Sequence, residues 1–262
     1  MTLIERQARP SQGKASVSVR LAGVSKVFGR GSSAVRALDR ISLQIAPGEF
    51  VCLIGASGCG KSTLLSLVAG LEQPTAGEVT VGGGKVAFMF QEAALFPWLT
   101  AAGNVELALR AHGSAKAERQ RRAAELLELV HLGGFGGKRP HELSGGMRQR
   151  VSLARALAQD ADVLLMDEPF GALDAMTRDV LHDELDRICA GRDLTVLFVT
   201  HNVREAVRLG DRVVVLSSRP GRVIEDFDVP IGRPRRIDSA AVAELAARIT
   251  DRLREEMSRH GK

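Results

Sequence analysis

Hydrophobic and polar positions alternate along residues 16–21 (SVSVRL), the two-residue period of a strand with one covered face. Two short apolar runs, ISLQI at 41–45 and FVCLI at 50–54, flank the turn pair Pro47-Gly48 and predict two more strands. A glycine-rich loop over 55–60 leads into KSTLLSLVAG, a predicted helix opening at Lys61. Short strands are predicted at 78–81 and 86–90. Residues 104–132, rich in Ala, Leu, Glu and Arg, predict a helix that the glycines at 133, 134, 136 and 137 break. Another helix starts near Gly145 and ends before VLLMDE at 163–168, whose lack of alternation suits a parallel strand covered on both faces. A helix around 175–189, strand TVLFVT at 195–200, a helix at 203–209, strand RVVVL at 212–216 and a two-stranded stretch near 222–229 follow. Over 239–257, Val242, Leu245, Ile249 and Leu253 recur at helical spacing behind a candidate N-cap, Ser239. Such a face packs on its own domain; a dimer contact is the alternative.

Strands alternating with helices predict an α/β fold with a largely parallel sheet. The pattern divides the chain into a flexible tail (1–16), a core (17–230) with a mostly helical insertion at about 92–160, and an extension (231–262). Composition narrows the function. The 262 residues are 45% hydrophobic and 26% charged, ordinary globular values that argue against wholesale disorder. Aromatics are 4%, with no Tyr and one Trp, too few for a single-strand stacking platform. The net charge of +5 is mild, and its densest cluster, Arg233, Arg235 and Arg236, is read as solvated surface rather than a nucleic-acid patch. An anionic membrane surface also suits this balance. No apolar run approaches the roughly 18–20 residues of a spanning helix. Residues 1–16 lack a signal-peptide core, so a cytoplasmic protein is expected. Cys52, Cys59 and Cys189 match neither a metal spacing nor a disulfide framework, and all three are expected to be reduced.

Candidate chemistry begins in the glycine-rich loop. Gly55-Ala56-Ser57-Gly58-Cys59-Gly60-Lys61-Ser62 fits G-x-x-x-x-G-K-[ST], with a strand before it and a helix, starting Lys61-Ser62-Thr63, after it. Glycines let backbone N–H groups approach a phosphate closely, and the helix start adds its dipole. Lys61 supplies a charge for the β- and γ-phosphates of ATP, and Ser62 a hydroxyl ligand for Mg²⁺. Cys59 is read as a small filler, although a thiol reagent there is expected to block nucleotide binding. The run ending in Asp167-Glu168 brings two carboxylates to a strand end, where open α/β sheets bind ligands. Strand alternation gives them separate tasks: Asp167 for the Mg²⁺ shell, Glu168 for the water that attacks the γ-phosphate.

Leu143-Ser144-Gly145-Gly146-Met147-Arg148-Gln149-Arg150 is the most specific segment. With the phosphate loop, it makes residues 17–230 resemble the ATP-binding subunit of ABC transporters. The resemblance implies a P-loop cassette with a mainly parallel core sheet, a small antiparallel β subdomain and a helical subdomain carrying LSGG. It implies a head-to-tail homodimer in which Ser144, Gly145 and Gly146 of one copy meet the γ-phosphate held by the other. Gln91 looks like the family's glutamine that touches Mg²⁺ and the attacking water. Asp174, in Gly171-Ala172-Leu173-Asp174, looks like the residue communicating across the dimer, and His201 like the switch histidine. Phe28 stands where the family sets an aromatic ring, usually Tyr, against adenine. Arg150 and Arg155 are read as structural.

Only about 80 residues separate Lys61 from Leu143, with no sustained heptads, unlike repair and chromosome ATPases with long coiled coils. The chain has one cassette, unlike translation factors, and no fused spanning helices, unlike exporters. It therefore resembles an importer subunit, peripheral on the inner face of the membrane, serving two integral permease subunits and, through them, an extracytoplasmic solute-binding protein. QEAALFPWLT (91–100), PFGALDAMT (169–177) and SSRPGRV (217–223) resemble the nitrate, sulfonate, taurine and bicarbonate importers. The LSGGMRQR wording, QEAALFPWLT and the short Gly82-Gly83-Gly84-Lys85 connection bring it nearest to aliphatic sulfonate importers, with taurine, nitrate or another small anion as alternatives. QEAALFPWLT lies where such cassettes receive a permease coupling helix. Trp98 is either an exposed docking anchor there or a core residue. The tail after Pro230 is too short for a regulatory domain. A soluble ABC ATPase acting on nucleic acid or ribosomes and a catalytically silent cassette are the competing readings; intact Lys61, Asp167, Glu168 and His201 oppose the second.

Overall fold

The computed structural model describes residues 19–82, 84–111, 113–171, 173–191 and 194–260. Its centre is a six-stranded sheet. Strands β3 (Phe50–Ile54), β6 (Val163–Asp167) and β7 (Thr195–Val199) are buried at every position. Both faces are covered, which is why their sequences do not alternate. With β5 (Val86–Met89), β8 (Arg212–Leu216) and β9 (Val223–Asp228) the order is β5-β6-β7-β3-β8-β9, parallel except for the antiparallel β8–β9 pair. The expected two-stranded stretch near 222–229 is thus one strand, β9, paired with β8.

A second sheet is antiparallel, in the order β2-β1-β4, from β1 (Val19–Phe28), β2 (Val35–Ile45) and β4 (Ala76–Val81). β1 runs well beyond the SVSVRL pattern, whose first three residues lie outside the described part. Gly23, at φ +59, shifts the register between Leu21 and Val24, so the alternation breaks while the strand continues.

Two hydrophobic layers sandwich the central sheet. Val51 and Leu53 face α1 (Lys61–Val68) and the antiparallel sheet, through Leu64, Leu65, Leu21 and Ile41. Phe50, Cys52 and Ile54 face the layer that includes α5 (Ala175–Gly191), α6 (Val203–Leu209) and α7 (Ala240–His260). The insertion joins this layer, but the helix expected over 104–132 is two: α2 (Ala101–Ala111) and α3 (Lys116–Leu129). Gly113 takes φ +77 between them and its N–H closes on the Arg110 carbonyl, which ends the first helix. The signature helix α4 (Gly145–Leu157) buries Val151, Ala154 and Leu157 in the same layer.

α7 buries Val242, Leu245 and Ile249 in that layer and packs beside α6, so its apolar face does cover its own domain. Ser239 caps it, accepting from the Val242 N–H at 3.4 Å. Two of the three arginines expected as solvated surface are otherwise engaged. Arg235 is buried, donating to the Gly210 and Val207 carbonyls at 2.5 and 3.1 Å, and Arg233 pairs with Asp186 and Asp211. These two fasten the extension to the core, where burial next to ordered carbonyls favours a fork-shaped donor. Arg236 is exposed, as expected, and pairs with its near neighbour Asp238.

Candidate nucleotide site

The carboxyl ends of four parallel strands, β3, β5, β6 and β8, meet one cleft of about 410 Å³. Ser57, Gly58, Gly60, Lys61, Ser62 and Thr63 line it from the loop after β3, Gln91 from the segment after β5, and Glu168 from just beyond β6. Phe28, Val35 and Ala37 of the antiparallel sheet close the far side, with Arg219, which follows β8.

The loop keeps its shape through its glycines. Gly60 takes φ +104, and a Cβ there would lie 2.6 Å from Leu38 Cδ2 and 2.9 Å from the Ala37 oxygen. Gly55 has space for no side chain because Cys59 Sγ occupies it, 2.9 Å from where a Cβ would stand. The Lys61 ammonium, almost fully buried, donates to the Gly55 and Ala56 carbonyls at 2.9 and 3.0 Å. Cys59 is a buried filler as read, but its thiol does not face the cleft. Burial pushes that thiol up, so the expected block by a thiol reagent is corrected to resistance in the folded protein.

Asp167 is buried, and burial raises its carboxyl above the usual range while the Ser62 hydroxyl, its hydrogen-bonding neighbour, pulls the other way. Glu168 lies past the strand end at φ +44, not within a strand. The left-handed turn, rather than strand alternation, carries its carboxylate into the cleft. There its Oε2 lies 3.4 Å from His201 Nδ1 and 3.5 Å from Gln91 Nε2, so three predicted residues from three strand ends converge. Mg²⁺ suits what is present. Ser62 and Asp167 are hard oxygen donors, and no cluster of three or more acidic, His or Cys side chains among the described residues could hold a metal alone. Magnesium uses such a sparse set together with phosphate and water oxygens.

Other predicted residues lie apart. Ser144, Gly145 and Gly146 open α4 away from the cleft wall, with Ser144 Oγ accepting from the Met147 N–H at 3.2 Å. Asp174 Oδ1 accepts from the Thr177 N–H at 3.0 Å and opens α5; Ala172 lies outside the described residues. Trp98 is 68% exposed with its ring 5.4 Å from that of Phe96, which settles its alternatives in favour of a surface residue.

Further residues around the site were not singled out from the sequence, apart from Arg155, which was read as structural. The α4 side chains hold the Gln91 segment: Gln149 donates to the Gln91 carbonyl, and Arg155 to those of Ala93 and Ala94 at 2.9 and 2.8 Å. Behind His201, the Thr200 hydroxyl donates to buried Glu205, which also bonds His182 Nε2 at 2.7 Å, tying this loop to α5. Asn202 caps α6 next to it, accepting from the Arg204 and Glu205 N–H groups. Arg219 was visible within SSRPGRV; a cation just past a parallel strand end beside the loop was the available signal.

A family model for ABC transporters matches residues 38–171, just over half of the chain. The chain belongs to the ABC transporter family. As a cassette of that family it is an ATPase whose hydrolysis is coupled to transport. It is similar to an aliphatic sulfonates import ATP-binding protein of Mesorhizobium japonicum, 47% identical over 88% of this chain and 86% of the relative. A taurine import ATP-binding protein of the same organism is 50% identical over 75% and 79%. A bicarbonate transport ATP-binding protein of Synechocystis is 43% identical over 87% and 84%. Among solved structures, an ATP-binding cassette in a dimeric post-hydrolysis state with ADP and phosphate superposes with a TM-score of 0.76, at 35% identity, covering 82% of this cassette and all of that chain.

Proposed function

We propose that the cassette is the ATP-hydrolysing motor of an importer for a small anion, aliphatic sulfonates before taurine, nitrate or bicarbonate. It acts as a homodimer on the cytoplasmic face of the membrane beneath two permease subunits that a solute-binding protein supplies from outside. The relatives that import sulfonate, taurine and bicarbonate support the substrate class, and the dimeric cassette supports the assembly. The exposed Trp98–Phe96 pair supports permease docking through 91–100.

The convergence of Glu168, His201 and Gln91 at the rim of a phosphate loop carries the catalytic reading. Loop N–H groups and the α1 N-terminus bind the phosphates, and Lys61 leaves its carbonyl partners for their charge. Phe28, 40% exposed on the far wall, stacks on adenine. Ser62, Asp167 and Gln91 would hold Mg²⁺, which would supply neutralisation of phosphate charge. Glu168 accepts a proton from the attacking water while Gln91 and His201 orient water and γ-phosphate. Ser144, Gly145 and Gly146 of the second copy close over that phosphate, and Asp174 links the two sites. Glu168→Gln tests this: ATP binding and dimer closure persist while turnover disappears. Rapid steady-state hydrolysis by that variant refutes the base assignment. For the substrate, a deletion strain should fail on an aliphatic sulfonate as sole sulfur source, grow on sulfate, and be rescued by the wild-type gene but not by Lys61→Ala. Normal growth on sulfonate without a redundant importer moves the assignment to another small anion.

A further inference from the structure

Among the described residues, one cationic side chain besides the loop lysine lines the cleft. Arg219 follows β8, and its Nε donates to the Gly58 carbonyl at 3.1 Å. Gly58 takes φ +72, and a Cβ on it would lie 3.0 Å from Arg219 Nη2, so the guanidinium lies directly against the middle of the phosphate loop. Its support is rigid. The Gly221 N–H donates to the Ala37 carbonyl at 2.9 Å and the Asp39 N–H to the Gly221 carbonyl at 3.0 Å. Arg222 pairs with buried Asp39 at 2.5 Å. The Ser217 hydroxyl donates to the Pro220 carbonyl and accepts from the Arg222 N–H, both at 2.9 Å. Segment 217–222 is thereby fastened to β2, and Arg219 is presented at a fixed place.

Its charge is uncommitted. Arg212, Arg222, Arg233 and Arg252 each meet a carboxylate, whereas among the described residues Arg219 meets none. An exposed guanidinium with an open fork, beside a lysine and a loop of N–H donors, is arranged for a phosphate.

The sheet order says which phosphate. Gln91, Glu168 and His201 follow β5, β6 and β7, all on one side of β3. Arg219 follows β8, on the other side, with Val35 and Ala37. The hydrolytic groups and the arginine therefore approach the loop from opposite flanks.

We propose that Arg219 is a nucleotide-contacting residue that binds the phosphates common to ATP and ADP, and not the γ-phosphate. The assignment rests on the nucleotide reading of the cleft. It sets nucleotide affinity before and after hydrolysis alike, and so acts on retention of ADP as much as on capture of ATP.

The test is equilibrium binding of ATP and of ADP to the full chain, wild type against Arg219→Gln, Arg219→Lys and Lys61→Ala, with melting of the nucleotide-free proteins alongside. Gln can still donate to the Gly58 carbonyl but carries no charge. The Gln variant should melt as wild type and lose about three- to tenfold affinity for both nucleotides, with a shallower ionic-strength dependence. Lys should recover part of the loss. Wild-type affinity in the Gln variant overturns the proposal, and a loss confined to ATP overturns the choice of phosphates. A loss accompanied by lower melting, with Lys no better than Gln, makes Arg219 a prop for the loop and overturns it too. If the wild type binds neither nucleotide, or Lys61→Ala binds both normally, the nucleotide reading of the cleft fails first.

Discussion

Ser144 caps a helix, and the proposed dimer gives it a second job, which one substitution separates from the first. Its hydroxyl caps α4 by accepting from the Met147 N–H at 3.2 Å. Ser144→Ala removes the cap, which costs about 1 kcal/mol and lowers the melting midpoint by about 2–4 °C in a chain of this size. Ser144→Asp keeps the acceptor and adds a negative charge at the positive end of the helix, so the isolated chain should melt no lower than wild type. The proposed second job needs the other copy. With Ser144 facing the γ-phosphate across the dimer, a carboxylate there meets like charge at about 4 Å, a repulsion of about 4 kcal/mol at an effective dielectric of 20. That amounts to roughly a thousandfold in rate. The assays are thermal melting, ATP binding to the isolated chain, and steady-state hydrolysis by the assembled transporter. The expected result for Ser144→Asp is undiminished stability, unchanged ATP affinity and turnover reduced to near zero. An affinity loss in the isolated chain that matches the activity loss refutes the cross-dimer placement, as does turnover within tenfold of wild type.

Three further outcomes follow from the site. Asp167→Asn should stabilise the nucleotide-free chain by about 1 kcal/mol at neutral pH and abolish Mg²⁺-dependent hydrolysis, as function and stability oppose each other at such groups. The sign comes from burial, which raises the folded-state carboxyl above its unfolded value. The wild type is thus penalised above that raised value, and its deficit against Asn should shrink as pH falls into the window between the two; a difference that grows on acidification contradicts this. Alkylation of Cys59, followed by mass spectrometry, should be slow in the folded chain and become fast on denaturation; rapid native labelling would contradict its burial. Gln149→Ala should leave ATP affinity near wild type and slow hydrolysis severalfold, because the Gln91 carbonyl loses its donor; unchanged turnover would show that the α4 contact does not position Gln91.

Much of this was legible in the chain because it is local. The unalternating runs at 50–54, 163–167 and 195–199 announced strands covered on both faces, and all three are buried throughout. The phosphate loop needed only contiguous residues, since its chemistry is backbone N–H groups between glycines, and LSGG was equally contiguous. Where the period was interrupted, local reading failed. A bulge at Gly23 concealed the rest of β1, and a single glycine at positive φ, Gly113, divided a helix that composition made continuous.

What only the tertiary structure decided concerns groups far apart in sequence. The pairing of β5, β6, β7 and β3 brings Gln91, Glu168 and His201 to one point, although 77 residues separate the first two. The same packing turned two expected surface arginines, Arg233 and Arg235, into fasteners of the extension, showed that Cys59 faces away from the cleft, and brought Arg219 over Gly58. The chain by itself determined its elements and its phosphate chemistry, because periodicity and loop composition act over a few residues. Burial, charge pairing and approach of distant side chains depend on which surfaces meet, and that is settled only once the sheet is assembled.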